Sequence, residues 1–163
     1  MMKNTYTIPK LTQIGHVHLK VSDLERSLTF YRDLLGFSVT MKYGDQAVFL
    51  SAGGYHHHIG LNTWHSMGKP PAPQNTSGLY HTAILYPERK DLAEILDRLL
   101  KAGYPLTGAS DHGVSEALYV NDPDGNGVEL YWDRPKKEWP SNPDGSLTMF
   151  TKALDLDDLL SLL

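Results

Sequence analysis

Hydrophobic and polar residues alternate over residues 14–21, IGHVHLKV, in a way that is typical of a half-buried β-strand. Its apolar side chains point to one face, and both histidines, His16 and His18, point to the other. The next stretch, residues 22–37, has apolar residues at the three- and four-residue spacing of an amphipathic helix. Three further strands are predicted after this helix, at residues 37–44, 46–54 and 56–64.

The second half of the chain repeats this order of elements. A strand is predicted at residues 79–86, and the helix that follows ends at Gly103. Each half therefore has the order βαβββ, and His16 and His81 hold equivalent positions in the two opening strands. Such repetition predicts two similar modules that share one core. The last three strands are predicted at residues 104–112, 115–122 and 127–133.

The two repeats predict one α+β domain over residues 11–133, whose tandem βαβββ modules form a curved mixed sheet around a cavity. Module one spans residues 11–64 and module two spans residues 78–133, with the polar, Pro-rich link SMGKPPAPQNTSG between them. After module two the composition changes, and residues 134–163 are expected to form a linker and a short acidic helix rich in leucine. This helix either packs back on its own domain or docks on a partner subunit, and the pattern leaves both open.

Composition and charge narrow the classes of function. The chain has 163 residues, is 40% hydrophobic and 21% charged, and carries a net charge of −4, so nothing in its charge favours nucleic acid or an anionic membrane as a partner. The absence of cysteine excludes thiolate chemistry, disulfides and cysteine-type zinc sites. No signal-peptide pattern and no apolar run of about 18 residues is present, so we expect a cytoplasmic protein with no membrane span.

The eight histidines are the main candidates for chemistry, because histidine is the commonest metal ligand. The triplet at residues 56–58 lies in a predicted strand, which points neighbouring side chains to opposite faces and so cannot surround a metal. Aligning the two modules superposes His16 on His81 and places Glu129 opposite Gly60. Each of these residues could also be an ordinary strand residue. If the modules curve around one cavity, however, two imidazoles and one carboxylate converge, which is the ligand set of non-haem Fe(II) sites.

Two stretches, GHVHLKVSDLERSLTFYRDLLGF and DPDGNGVELYW, resemble the vicinal-oxygen-chelate superfamily. This superfamily contains glyoxalase I, fosfomycin- and bleomycin-resistance proteins and extradiol ring-cleaving dioxygenases. The resemblance covers roughly residues 11–133 and implies a bound divalent metal, with Fe(II) expected first and Mn(II), Zn(II) or Ni(II) compatible with the same donors. The metal ligands that it implies are His16, His81 and Glu129.

Within the superfamily, GGYHHHIGLNTW and DHGVSEALYVNDPDGNGVELYWDRP resemble the catechol 2,3-dioxygenase branch. This implies ring cleavage of a catechol-like aromatic substrate by O2. Tyr119 stands ten residues before Glu129, a spacing similar to that of the active-site tyrosine and ligand glutamate of these enzymes, and is expected to bind a substrate oxygen. A histidine is expected to serve as acid and base, and the candidates are His58 and His112. The ring-cleaving relatives have two such domains, whereas this chain has one.

Two other functions stay open at this stage. One is a metal-dependent lyase or thiol transferase of the same superfamily. The other is a non-catalytic protein that binds a small aromatic compound. A complete set of three ligands favours an enzyme, because a sequestering cavity needs no metal ligands, and Gly60 in the fourth equivalent position disfavours a glyoxalase. Open strand edges and the leucine-rich tail predict a homodimer.

Overall fold

The computed structural model describes residues 6–73 and 75–163. The first module begins with strand β1 and helix α1, and the helix continues into a π-helical turn before three more strands follow. The bounds are β1 Val17–Lys20, α1 Leu24–Leu28, the π-helical turn Thr29–Leu34, β2 Ser38–Tyr43, β3 Ala47–Ser51 and β4 Ile59–Asn62.

The second module has the same order of elements, and a C-terminal segment follows it. Its bounds are β5 His81–Leu85, α2 Arg89–Lys101, β6 Gly108–Asp111, β7 Ser115–Asn121 and β8 Gly127–Asp133. The C-terminal segment contains a short 3₁₀ helix, a two-residue strand and a last helix. These are the 3₁₀ helix Lys136–Glu138, β9 Lys152–Ala153 and α3 Leu156–Leu160.

The strands form two mixed sheets, which confirms the predicted α+β class. Sheet A has the order β1-β4-β3-β2, and sheet B has the order β5-β8-β7-β6-β9. In each sheet the first strand of the module pairs in parallel with its last strand, and the other pairs are antiparallel. Within the described part of the chain the two sheets are separate, rather than one continuous curved sheet.

One hydrophobic core takes side chains from both sheets and all three helices. The alternation predicted for β1 is present, since Leu19 is 8% exposed and Val21 is fully buried, whereas His18 and Lys20 are exposed. Strand β8 behaves in the same way, with Leu130 in the core. Each sheet therefore turns one face to the core and carries its candidate functional side chains on the other face.

The turn that precedes β8 is bound to the first module. The Tyr31 hydroxyl donates a hydrogen bond to the buried Asp122 carboxylate at 3.0 Å, and the Ser22 backbone N–H donates to Asp124 at 3.1 Å. Asp122 also accepts from the backbone N–H groups of Asp124 and Asn126, at 2.9 Å and 2.8 Å. This turn therefore fixes the start of β8 relative to the first module.

The C-terminal helix packs back on its own domain, as in one of the two alternatives left open by the sequence. Leu159 of α3 is fully buried in the core. Arg89 at the start of α2 bridges Asp158 of α3 and the buried Glu116 of β7, with nitrogen–oxygen distances of 2.7 Å to each. None of the helices in the described ranges combines the length and apolarity that crossing a bilayer requires.

Candidate active site

His81 and Glu129 meet on the face of sheet B that points away from the core. Strands β5 and β8 run in parallel with Ala83 opposite Glu129, and this register brings His81 Nε2 to 2.9 Å from Glu129 Oε2. A Cβ at Gly127, opposite His81, would collide with the Tyr80 carbonyl oxygen and lie 3.1 Å from the His81 Cβ. The absence of a side chain at position 127 thus lets β8 approach β5 closely enough for the pair to form.

These two side chains fit a metal site by their donors and their spacing. Bonds of about 2.1 Å at right angles place two neighbouring donor atoms about 3 Å apart, close to the observed nitrogen–oxygen distance. Imidazole and carboxylate together suit Fe(II), Mn(II), Zn(II) and Ni(II). In the described part of the chain, the other ring nitrogen, Nδ1 of His81, is the one buried side-chain nitrogen or oxygen without a hydrogen-bond partner. Such an unsatisfied group is unusual away from functional sites.

Tyr119, on the antiparallel neighbour strand β7, contacts the Glu129 side of this pair. It lies directly opposite Glu129 in the β7–β8 register, and its hydroxyl donates to Glu129 Oε1 at 3.1 Å. Burial first, and then the Glu129 charge, raises the pKa of Tyr119 to about 12. The phenol therefore stays protonated at neutral pH and is a hydrogen-bond donor beside the candidate ligands.

His112 completes a continuous chain of polar contacts. Its Nε2 lies 2.8 Å from the Tyr119 hydroxyl, and its Nδ1 lies 3.1 Å from the Phe150 carbonyl oxygen. Glu129, Tyr119 and His112 are thus linked from a candidate metal ligand to a residue able to take up a proton. The sequence identified Glu129, Tyr119 and His112 as candidate site residues. It did not identify Phe150, because that contact is made by a backbone carbonyl group, which every residue has.

A cavity of about 940 Å³ lies beside this chain of contacts. His81 and Tyr119 contribute to its lining, together with Gly108 and Ser110 from β6. The opposite wall comes from the link between the modules, including residues 76–80. A volume of this size admits a small aromatic molecule, since ligand pockets usually measure about 300–1,000 Å³.

His16 lies with the other sheet. It is exposed just before β1, and its ring centroid is 4.4 Å from that of His57. Among residues 6–73 and 75–163, no three His, Cys, Asp or Glu side chains are grouped closely enough to hold one metal ion. One protomer thus assembles His81 and Glu129 but does not bring His16 to them, and the common site for all three stays a prediction.

The histidine triplet lies in the loop between β3 and β4 rather than in a strand, so the strand geometry expected for it does not apply. Strand β4 begins only at Ile59, after a turn through Gly53 and Gly54, both of which have positive φ. In this loop the His57 ring contacts the ring of His16. Desolvation, and then the charge of His16, lowers the pKa of His57.

The His58 ring packs against residues at the end of β3 and is not part of the chain of contacts that contains His112. Its Nδ1 accepts from the Ala52 N–H at 3.3 Å and lies 3.1 Å from the Ser51 hydroxyl. Of the two acid–base candidates, only His112 belongs to the chain of contacts that contains Glu129. His18 covers Gly60, where an added Cβ would lie 3.0 Å from its ring.

Comparison with known proteins identifies the family. The model of the Glyoxalase/Bleomycin resistance protein/Dioxygenase superfamily matches residues 13–130. The chain belongs to this superfamily. A catechol-2,3-dioxygenase of Bacillus subtilis (strain 168) is 44% identical over 149 residues, covering 91% of this chain and 51% of the relative. The chain therefore spans about half the length of that relative.

The chain is also similar to more distant relatives. Biphenyl-2,3-diol 1,2-dioxygenase 3 of Rhodococcus globerulus is 34% identical over 122 residues, which are 74% of this chain and 63% of the relative. A manganese-dependent 2,3-dihydroxybiphenyl 1,2-dioxygenase of Geobacillus genomosp. 3 is 26% identical over 141 residues, 83% of this chain and 40% of that protein. Among solved structures, a glyoxalase/dioxygenase from Nostoc punctiforme has a TM-score of 0.63 at 15% identity, covering 83% of this chain and 100% of the other, and supports the fold.

Proposed function

We propose that this protein is a metal-dependent extradiol-type dioxygenase that cleaves the ring of a catechol-like substrate. The observation that carries the proposal is the chain from His81 through Glu129 and Tyr119 to His112, which joins two metal-ligand candidates to a proton carrier. The similarity to a catechol-2,3-dioxygenase and to a biphenyl-diol dioxygenase supports this chemistry over the lyase, transferase and binding alternatives.

The metal ligands that we propose are His16, His81 and Glu129, with Fe(II) first and Mn(II) as the alternative suggested by the name of one relative. Held by these three ligands, a divalent ion would leave coordination positions open for a diol and O2 and would lower the pKa of the diol's hydroxyl groups. The expectation of a cytoplasmic location stays a prediction.

The protein's own residues handle the protons. Tyr119, protonated and directly opposite Glu129, shares a hydrogen bond with a substrate oxygen beside the metal ligands. His112 accepts a proton from the substrate through Tyr119, because its Nε2 lies 2.8 Å from the tyrosine hydroxyl. This hydrogen bond is part-buried, and the lower local dielectric strengthens it.

His16 reaches the site in our proposal from a second copy of the chain. Residues in register across sheet A, namely His18, Gly60, Phe49 and Met41, share the face that points away from the core. Met41 on this face and Leu85 on the corresponding face of sheet B are each 53% exposed. Exposed apolar side chains on both faces favour a cover. A two-fold dimer that places sheet A of each copy over sheet B of the other forms two equal sites.

Activity is tested with protein purified anaerobically and loaded with Fe(II) or Mn(II). The proposal predicts O2 consumption and a yellow ring-fission product when catechols are added, and loss of both after chelation of the metal. A metal-loaded protein that consumes no O2 with any catechol would contradict the dioxygenase. Tight aromatic binding that is unaffected by chelator would favour the binding protein instead.

The shared site is tested by mixing two inactive variants, His16→Ala and His81→Ala. If His16 acts across the dimer, an equal mixture recovers about a quarter of wild-type activity, because about half of the dimers are mixed and each mixed dimer has one intact site of two. The matched control mixes His81→Ala with Glu129→Ala. In each site these two ligands come from the same copy of the chain, so no mixed dimer has an intact site and the mixture stays inactive. No recovery in the first mixture, despite subunit exchange verified by a tag, would show that His16 does not act across a dimer.

A further inference from the structure

The C-terminal arm, defined as residues 147–163, runs along the outer edge of sheet B and reaches His112. Strand β9 pairs with β6, with Lys152 opposite Asp111. The Phe150 N–H donates to the His112 carbonyl oxygen at 3.3 Å, and the Leu154 N–H donates to the Ala109 carbonyl oxygen at 3.4 Å. The arm is therefore held as an added edge strand on both sides of the His112 contact.

The Phe150 ring fixes the arm at this point. A Cβ at Gly113, which is buried and has a φ of +78°, would lie 2.6 Å from Phe150 Cε1, so the ring sits directly against the bare backbone. The Lys152 ammonium lies over the Phe150 ring, 4.4 Å from its centroid. The burial of Leu159 in the core anchors the far end of the arm. The carbonyl group of Phe150 is consequently presented in one direction.

The partner atoms determine which nitrogen of His112 carries hydrogen. A backbone carbonyl oxygen can only accept a hydrogen bond, so the contact from Phe150 to Nδ1 at 3.1 Å requires an Nδ1–H. The Thr151 hydroxyl lies 3.3 Å from the same nitrogen. In the neutral ring, Nε2 then carries the lone pair, and the single hydrogen of the Tyr119 hydroxyl turns from Glu129 Oε1, 3.1 Å away, to Nε2 at 2.8 Å.

We propose that the C-terminal arm is a positioning element of the active site, which holds neutral His112 as the Nδ1–H tautomer so that Nε2 accepts the proton relayed by Tyr119. The hydrogen on Nδ1 follows from the Phe150 contact, whereas the use of Nε2 as a proton acceptor rests on the proposed function. In the relay, the proton of Tyr119 passes to Nε2 and the hydroxyl proton of the substrate passes to the Tyr119 oxygen. The imidazole becomes an imidazolium, Tyr119 remains a phenol and the substrate becomes an anion, so protons and charge balance.

The first test is spectroscopic and needs neither metal nor substrate. In protein labelled with ¹⁵N-histidine, the His112 ring signals are assigned by their loss in His112→Gln, and the neutral ring is expected to show hydrogen on Nδ1. A neutral His112 with its hydrogen on Nε2 overturns the proposal. If the tautomer is as expected but no catechol is cleaved, the proposed function fails and the positioning stands.

The second test compares Phe150→Ala with Met149→Ala, a neighbour whose side chain is 59% exposed. Phe150→Ala removes the ring that fixes the backbone carbonyl group, so a mixture of His112 tautomers is expected. The kcat should fall about tenfold or more, with KM for the diol and the metal content unchanged. Met149→Ala keeps the wild-type tautomer and kcat. A Phe150→Ala protein that matches Met149→Ala in both readouts overturns the proposal. Should Phe150→Ala fail to fold, the wild-type spectrum still decides.

Discussion

The Tyr31 hydroxyl donates a 3.0 Å hydrogen bond to the Asp122 carboxylate, across the boundary between the two modules. Tyr31 is 1% exposed and Asp122 is 3% exposed, so water cannot replace this contact. Asp122 begins the turn that leads into β8, the strand that carries Glu129. The contact therefore couples the packing of the first module to the position of a candidate metal ligand in the second.

Removing this hydroxyl should destabilise the protein measurably. Tyr31→Phe leaves a buried carboxylate with one donor fewer and is expected to lower the free energy of unfolding by about 1–3 kcal/mol. The matched control is Tyr43→Phe, because the Tyr43 side chain is 66% exposed and should change stability by less than about 0.5 kcal/mol. Urea denaturation of both variants makes the comparison, and equal midpoints would contradict the coupling.

The same tyrosine predicts a loss of stability at alkaline pH. Burial first, and then the Asp122 charge, raises the pKa of Tyr31 above its usual value of 10.0. Below pH 10 both states keep the proton, and the full stabilisation is present. Above pH 10 the unfolded chain loses the proton while folded Tyr31 keeps it, so the free energy of unfolding falls by about 1.4 kcal/mol per pH unit for this group. Tyr31→Phe should make the fall shallower by about that amount at pH 11 to 12, and an unchanged slope in that interval would contradict it.

Much of the fold was predictable from local patterns. The alternation over β1 identifies the buried face of that strand, and the spacing of Leu92, Leu96 and Leu99 identifies that of α2, because burial follows side-chain direction along a regular element. The histidine triplet was assigned wrongly to a strand. Gly53 and Gly54 adopt positive φ just before it, and the resulting turn interrupts the alternation of side-chain direction that a strand would have.

The candidate site was predictable only within one module. The ten-residue spacing of Tyr119 and Glu129 across a tight turn is consistent with their pairing, and the structure places them directly opposite each other. The distance from His16 to His81 depends on how two sheets are arranged, which strand periodicity does not encode. The Phe150 contact to His112 was likewise not predictable, since any residue at position 150 has a carbonyl group.

Tyr119 should matter for the rate more than for metal binding. Tyr119→Phe removes the donor between Glu129 and His112 and is expected to lower kcat about a hundredfold, with the bound metal retained. Tyr104→Phe is the control, because the Tyr104 hydroxyl contacts only the Asn121 carbonyl oxygen among the described hydrogen bonds. Steady-state kinetics with elemental analysis tests this, and wild-type turnover in Tyr119→Phe would remove this residue from the mechanism.

The C-terminal helix should stabilise its own domain without holding subunits together. Leu159→Ala creates a cavity in the core and is expected to cost about 2–5 kcal/mol, whereas Leu162→Ala, at a side chain that is 38% exposed, should cost much less. Both variants should keep the wild-type apparent mass on size-exclusion chromatography. A drop in mass for Leu159→Ala while the protein remains folded would indicate that the helix bridges subunits instead.

Anomalous diffraction from crystals grown anaerobically with Fe(II) or Mn(II) tests the central claim most directly. We expect one metal peak per site, about 2.0–2.2 Å from Nε2 of His81 and a carboxylate oxygen of Glu129, with His16 of a second copy as the third protein ligand. A metal bound elsewhere, or a metal on His81 and Glu129 with His16 distant from it in every copy, would contradict the account.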